Sequence, residues 1–402
     1  MSILLANDFG IWPDATDAHI PGENILKGVD YWGRLIDYLL LYDQIIIPTG
    51  DLQIVYILRR ILGDDIFIEL IRNHVIVLAR FNEWYGYSYN NDSGEIYYIV
   101  KTTPPDGSST FLISPYDPLE DLVEKILLLP TNPSTTKDQR DFLKNLLIDN
   151  TISLPITELF NHALNECELD FEKSPYLLNL YSLGSNPFNI KSCAMEDTTT
   201  MAMFCAYDIS KVKKQKGSDQ KRIYAVLRVM FENLLLCMGN HLHASTLVGD
   251  QSSISVLNAK GQRFGLAGVG RDAFTQIKNF NTIPDLGKAF YSREITARTI
   301  IELRNSDESI NFRDWFSKGS PSENSQDIKD RFQSAFNEKS YNDFPYKILR
   351  LGLVTAIGLN GWEYGLAAAG LDQYFLNNWF KNKSPQLFIQ KMKVVSNKPT
   401  QN

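Results

Sequence analysis

The chain has 402 residues, of which 44% are hydrophobic and 22% charged, so it has the means to build a core and is not a wholly disordered polymer. Its length exceeds the roughly 100–200 residues of one ordinary domain, which leads us to expect more than one packed unit. A formal net charge of −7 offers no global positive field for displacing counterions from phosphates, so nucleic acid is not a favoured partner.

In chain order, Ser2–Ala6 is a short apolar run ended by Asn7 and Asp8, and reads as a strand. From Asn24 to Leu41 the apolar residues Ile25, Val29, Trp32, Leu35, Ile36, Leu39 and Leu40 recur at helical spacing. Gln44–Ile47 is β-branched and closed by Pro48, a second strand. Asp51 stands where an N-cap belongs, ahead of a helix with Ile54, Ile57, Leu58, Ile61 and Leu62 on one face. After Gly63 and the Asp64-Asp65 pair a short helix runs to about Arg72, and Val75–Ala79 is a third strand. This alternation builds a small parallel sheet with right-handed crossovers. Glu83–Tyr89 and Glu95–Lys101, joined through Asn90-Asn91-Asp92-Ser93-Gly94, predict a β-hairpin.

Beyond a linker at 102–117 the helical period dominates. Leu119–Leu129, Lys137–Ile148 and Ile156–Cys167 are predicted helices. The strongest one follows residue 219, with Ile223, Val226, Leu227, Met230, Phe231, Leu234 and Cys237 on a broad apolar face. One long helix is expected over Arg293–Phe316, with Glu294, Arg298 and Glu302 at i,i+4 steps on its wet side. Three more helices are expected to carry the chain to Lys393. The predicted fold class is therefore α/β plus all-α. A small N-terminal, mostly parallel sheet with a β-hairpin spans 1–115, a helical region 116–217, and a helical C-terminal domain 218–402.

Cys167, Cys193, Cys205 and Cys237 include no CxxC pair, so neither a zinc knuckle nor a disulfide scaffold is indicated, and a reducing, cytoplasmic setting is expected. The first residues carry no Lys or Arg before their apolar run, and no signal peptide is expected. The run Leu39–Pro48 resembles the opening of many prokaryotic proteins but carries no functional residues with it.

Open parallel sheets bind ligands beyond the carboxyl ends of their strands. Here those ends present Asp8, Asp51 and Glu83, candidate catalytic carboxylates, with Asp8 and Asp51 also candidate ligands for Mg²⁺, a hard cation that takes oxygen donors. The competing reading is that Asp51 and Asp65 are simply helix caps. Gly268-Val-Gly270-Arg-Asp-Ala273 has the form GxGxxA, yet its lead-in is too short and glycine-rich for a buried strand, and a helix-to-helix turn explains it better. His241 and His243 would share a face in an extended segment and need a third ligand, such as Glu232 or Asp250, to hold a metal; exposed histidines at a helix end are the alternative. The lysines at 211–216 lack interleaved aromatics and suit a solvated loop. Gly361 and Gly365 form GxxxG within the apolar stretch 351–371, which Glu363 makes too short for an ordinary membrane span.

There is no phosphate loop, nucleophile elbow, HExxH or kinase set. The leading expectation is accordingly an intracellular regulatory or effector protein that binds a protein partner or self-assembles, without constitutive membrane association. The alternatives are a Mg²⁺-dependent phosphoester hydrolase using Asp8, Asp51 and Glu83, and a conditional membrane-perturbing effector using 351–371.

Overall fold

A computed structural model describes residues 2–6, 29–81, 84–89, 96–101, 117–129, 136–180, 190–194, 200–205, 219–244, 246–249, 256, 260, 286–318, 347–350, 388, 391–392 and 394–395. The first half of this alternates as the sequence predicts: β1 (Ile3–Leu5), α1 (Val29–Leu41), β2 (Gln44–Thr49), α2 (Gln53–Leu62), α3 (Asp64–Arg72) and β3 (Ile76–Arg80). The predicted hairpin is β4 (Trp84–Tyr89) against β5 (Ile96–Lys101), antiparallel. Then follow α4 (Leu119–Leu128), α5 (Lys137–Asp149), β6 (Thr151–Ser153), α6 (Ile156–Lys173), α7 (Pro175–Leu180), β7 (Ile190–Ala194), β8 (Thr200–Cys205), α8 (Asp219–His241) and β9 (Thr246–Gly249). The remainder contributes α9 (Leu286–Tyr291), α10 (Ala297–Arg304), α11 (Asp307–Lys318) and β10 (Lys347–Arg350).

The main sheet has six strands in the order β10-β9-β1-β2-β3-β6, all parallel except β10. It draws strands from all three stretches of sequence distinguished above. Strand residues alternate between two cores: Leu4, Ile45, Ile47, Ile76 and Leu78 face one, and Leu5, Ile46, Val77 and Ala79 face the other. A sheet buried on both faces must be apolar at every step, which is why Ile45-Ile46-Ile47 carries no polar residue.

Helices α1 to α5, which connect β1, β2, β3 and β6, pack on the first face, joined there by α9, α10 and Phe312 of α11. The return from β6 to β9 runs through α6, α7 and α8 on the second face. Each connection is therefore the right-handed one: the winding proceeds outward over one face and back over the other. It reverses at β1 and β9, whose onward chains leave to opposite faces, α1 to the first and Val256 to the second.

The second sheet, order β4-β5-β8-β7, is wholly antiparallel. Strands β7 and β8 lie inside the stretch expected to be helical. Two further expectations are corrected. The single helix over 293–316 is two, because Asn305 closes α10 by donating its amide to Ile301 O, and the Ser306 carbonyl accepts the first amides of α11. Glu294 precedes the Thr296 cap of α10, so it takes no part in an i,i+4 ladder, and Arg298 pairs with Glu69 at 2.7 Å instead. Among the residues expected to be helical near the C-terminus, Lys347–Arg350 is a strand that closes the sheet beside β9.

Where α1 meets α9 two glycines face each other. A Cβ on Gly287 would lie 2.2 Å from Gly33 Cα, so the backbones themselves form this contact. Trp32 brackets it by packing on Phe290 and Tyr291, ring centroids 5.2 and 5.7 Å away.

Candidate functional site

Two aspartates flank β2, and the fold treats them in opposite ways. Asp43 precedes the strand, at the amino edge of the sheet. Its carboxylate accepts from the Ser2 backbone amide at 2.7 Å and from Arg313 Nε at 3.2 Å. Burial alone would raise its pKa, but the Ser2 amide and the Arg313 guanidinium outweigh that and hold the carboxyl below its ordinary range. Arg304 closes the same edge. It donates to Leu39 O, to Tyr42 O at 2.7 Å and to Asp43 O at 2.7 Å, giving the C-terminal end of α1 a cation that its own last turn lacks.

Asp51 follows the strand, at the carboxyl edge. The turn Thr49-Gly50-Asp51-Leu52 is held by Thr49 Oγ1, which accepts the Leu52 amide at 3.1 Å. Leu52 occupies the N-cap position of α2 with φ of +57° and offers no side-chain cap. The sequence-based view of Asp51 as the N-cap is thus corrected: its Oδ1 accepts the amide of Gln53, the first helical residue, at 3.1 Å, and not an amide deeper in the turn. Burial raises the Asp51 carboxyl above its ordinary range against that one amide. Among the described residues no basic side chain pairs with it. Asp65, the other proposed cap, lies in the first turn of α3 behind an N-cap Gly63.

Beside Asp51 stands Arg80, the last residue of β3 and 7% exposed. Its Nε donates to Gly50 O at 3.4 Å and its NH2 to Asp117 O. Burial lowers its pKa against the pull of Asp117 and Glu120. The Asp117 carboxylate is itself taken by Lys125 at 2.9 Å. Of the three candidate carboxylates, then, the structure places Asp51 at the edge of β2; Asp8 and Glu83 lie outside the described residues.

The remaining sequence candidates fare as follows. His241 is the last residue of α8, and His243 has φ of +53°, so the pair does not lie on an extended segment; both are exposed. No group of three or more His, Cys, Asp or Glu suited to a metal occurs among the described residues. Residues 211–216, 268–273 and 351–371 lie outside them, and no described helix is long and apolar enough to cross a membrane. A cleft of about 580 Å³ opens between Gly63, Asp65, Gln139 and Arg298. Its polar groups are engaged elsewhere: Gln139 in the capping box of α5, Arg298 with Glu69.

One cluster escaped the sequence altogether. Lys260, 2% exposed, places Nζ 2.7 Å from Glu166 and 2.9 Å from Asp170, which is fully buried. Asn233 of α8 donates to the same Asp170 oxygen atom at 3.2 Å. Cys237 lies near enough to feel these charges, but burial pushes its thiol up to about 12, so it is a packing residue and no ready nucleophile. Glu166 and Asp170, one helical turn apart, read in sequence as the wet side of α6. Comparison with family models, curated proteins and solved structures finds no match to this chain.

Proposed function

We propose that this chain is a divalent-cation-dependent enzyme acting on phosphoesters, with its centre in the crevice at the carboxyl edge of the main sheet. The observation that carries this reading is Asp51: a buried carboxylate at a strand end, unused as a helix cap and without a basic partner among the described residues. A desolvated carboxylate of that kind is stabilised by a cation, and Mg²⁺ is the hard ion that oxygen donors select. The crevice suits it, because the winding reverses at β1, the strand next to β2, and reversals of this kind open binding clefts between diverging loops. Asp8 and Glu83 follow the ends of the strands on either side of β2 and are the further carboxylates proposed to complete the centre. When bound, Mg²⁺ would lower the pKa of a coordinated water and offset charge on a phosphoryl oxygen.

Binding of Mn²⁺, followed by electron paramagnetic resonance on the full chain, tests this directly. The expected result is saturable binding that is lost in Asp51→Asn, accompanied by Mn²⁺-dependent turnover of bis(p-nitrophenyl) phosphate. A wild-type chain that binds neither Mn²⁺ nor Mg²⁺ at millimolar concentration ends the proposal.

A second reading, partner binding or self-assembly, draws on β6. Among the described residues this strand pairs only with β3, and Ile152 on it is 42% exposed, which leaves an edge able to accept another strand. Light scattering that finds a monomer unchanged by Ile152→Lys would leave self-assembly through this edge without support.

A further inference from the structure

We infer that Arg80 is a positioning residue for the Asp51 centre, an inference that rests on the reading just given. Arg80 ends β3, the strand beside β2, and its side chain is buried where the two strands finish. Its guanidinium holds the carbonyl of Gly50, the residue before Asp51, and the carbonyl of Asp117, two residues before α4. Its backbone belongs to the same lattice. The Arg80 carbonyl accepts the Leu154 amide at 2.7 Å, and the next residue, Phe81, donates to Thr49 O at 3.2 Å.

One side chain therefore fixes three things relative to each other: the end of β2, the end of β3 and the start of α4. Between Phe81 and Asp117 the chain makes the excursion that contains β4 and β5, and the Arg80–Asp117 bond ties the start of that excursion to its end. Glue of this kind does not by itself require a cation. Burying a guanidinium against neutral carbonyls is unfavourable unless its planar fork is what the site needs, because the fork holds two acceptors at a fixed separation and an ammonium does not. The Asp51 turn carries its own strain, with Leu52 at positive φ, and the Gly50 carbonyl is the point at which Arg80 grips that turn. A carboxylate displaced by about an ångström from the position that a cation requires loses most of its usefulness.

The test uses Mn²⁺ as probe on the full chain, comparing wild type, Asp51→Asn, Arg80→Lys and Arg80→Ala, with urea unfolding measured on each. Arg80→Lys keeps the charge and the stem and should fold. We expect its Mn²⁺ affinity to fall roughly tenfold or more, with an altered Mn²⁺ resonance spectrum. We also expect ethylguanidinium to restore affinity in Arg80→Ala, a rescue that a purely structural role would not show. No Mn²⁺ on the wild-type chain sinks the site itself. Mn²⁺ bound by wild type and lost in Asp51→Asn, but held with unchanged affinity and spectrum by Arg80→Lys, sinks the role of Arg80 alone. Should Arg80→Lys fail to fold, the rescue decides: recovery of Mn²⁺ binding in Arg80→Ala by ethylguanidinium supports the inference, and its absence overturns it.

Discussion

Lys260→Met removes the ammonium from the buried cluster between α6 and α8 while leaving its aliphatic stem in place. What it strands differs between the two carboxylates. Glu166 is 28% exposed and can turn to water, whereas Asp170 is fully buried and keeps only Asn233 as its amide donor across the helix interface. Removing one partner of a buried ion pair costs about 3–5 kcal/mol, chiefly because the surviving charge is left in a medium that cannot solvate it. With Glu166 free to rehydrate, the lower end of that range, about 3 kcal/mol, is expected. The same reasoning makes a second demand. Once Lys260 is methionine, replacing Asp170 with Asn removes the stranded charge, so Lys260→Met/Asp170→Asn should be more stable than Lys260→Met alone. Urea unfolding at neutral pH, followed by circular dichroism for both single variants and the double, gives the coupling energy, expected at about 2 kcal/mol. If the two substitutions simply add, Lys260 is not compensating Asp170 and the buried triad has been misread.

Three other expectations follow from particular contacts. Gly287→Ala would drive a methyl to 2.2 Å from Gly33 Cα, so α9 must move from α1 by more than an ångström; a lowering of stability by about 2 kcal/mol is expected despite the gain in helix propensity. Gly33→Ala meets nothing closer than 3.9 Å and should be neutral or slightly stabilising, so equal urea midpoints for the two alanine variants would contradict the geometry. Asp43→Asn should destabilise by about 1–2 kcal/mol, a figure already reduced for partial exposure. Because the folded-state pKa of Asp43 is depressed, its stabilisation is complete above the ordinary carboxylate range and is lost as pH falls through the folded value, so the gap to wild type should close in acid. Asp51→Asn should do the reverse. A raised folded pKa means that ionisation opposes folding, so the variant should gain on wild type as pH rises through that value and be the more stable protein at neutral pH, as thermal melts in metal-free buffer would show.

Much of the first eighty residues was legible because each strand there is a run of β-branched residues ended by a breaker, and each helix repeats its apolar residues every three to four positions. Ile45-Ile46-Ile47 before Pro48, and the polar connection Asn90–Gly94, are local signals and need no partner to be read. What stayed hidden is what depends on distant chain. Thr151-Ile152-Ser153 is a strand only because β3 offers it an edge, and Thr246–Gly249 only because β1 does. The Asn305-Ser306 break was missed because Ile300, Ile301, Ile310 and Phe312 sustain a helical rhythm across it, although both residues are good helix terminators. At the site, the position of Asp51 beyond β2 was readable from Pro48-Thr49-Gly50, but its desolvation was not. Nor was Arg80, which looks in sequence like an ordinary polar end to a strand. Glu166, Asp170 and Lys260 were invisible as a group because their separation along the chain carries no pattern at all.

The two ends of β2 make the case for function by comparison, with strand, residue type and sheet held constant. A fold that merely ended this strand with an aspartate had the means to satisfy it, as the amino edge shows: Asp43 receives the Ser2 amide and the Arg313 guanidinium, while Arg304 fills the carbonyls around it. At the carboxyl edge the available guanidinium, Arg80, is turned to backbone carbonyls, and Asp51 is left with a single amide and a raised pKa. A carboxylate kept destabilised beside a cation that serves its turn and not its charge is an arrangement that stability alone does not favour, and unsatisfied ionisable groups of this kind concentrate where a ligand supplies what the protein withholds. The charge withheld at Asp51 is positive. A ligand that supplies it is a cation, and the side of the sheet on which it is withheld is the side where parallel sheets bind.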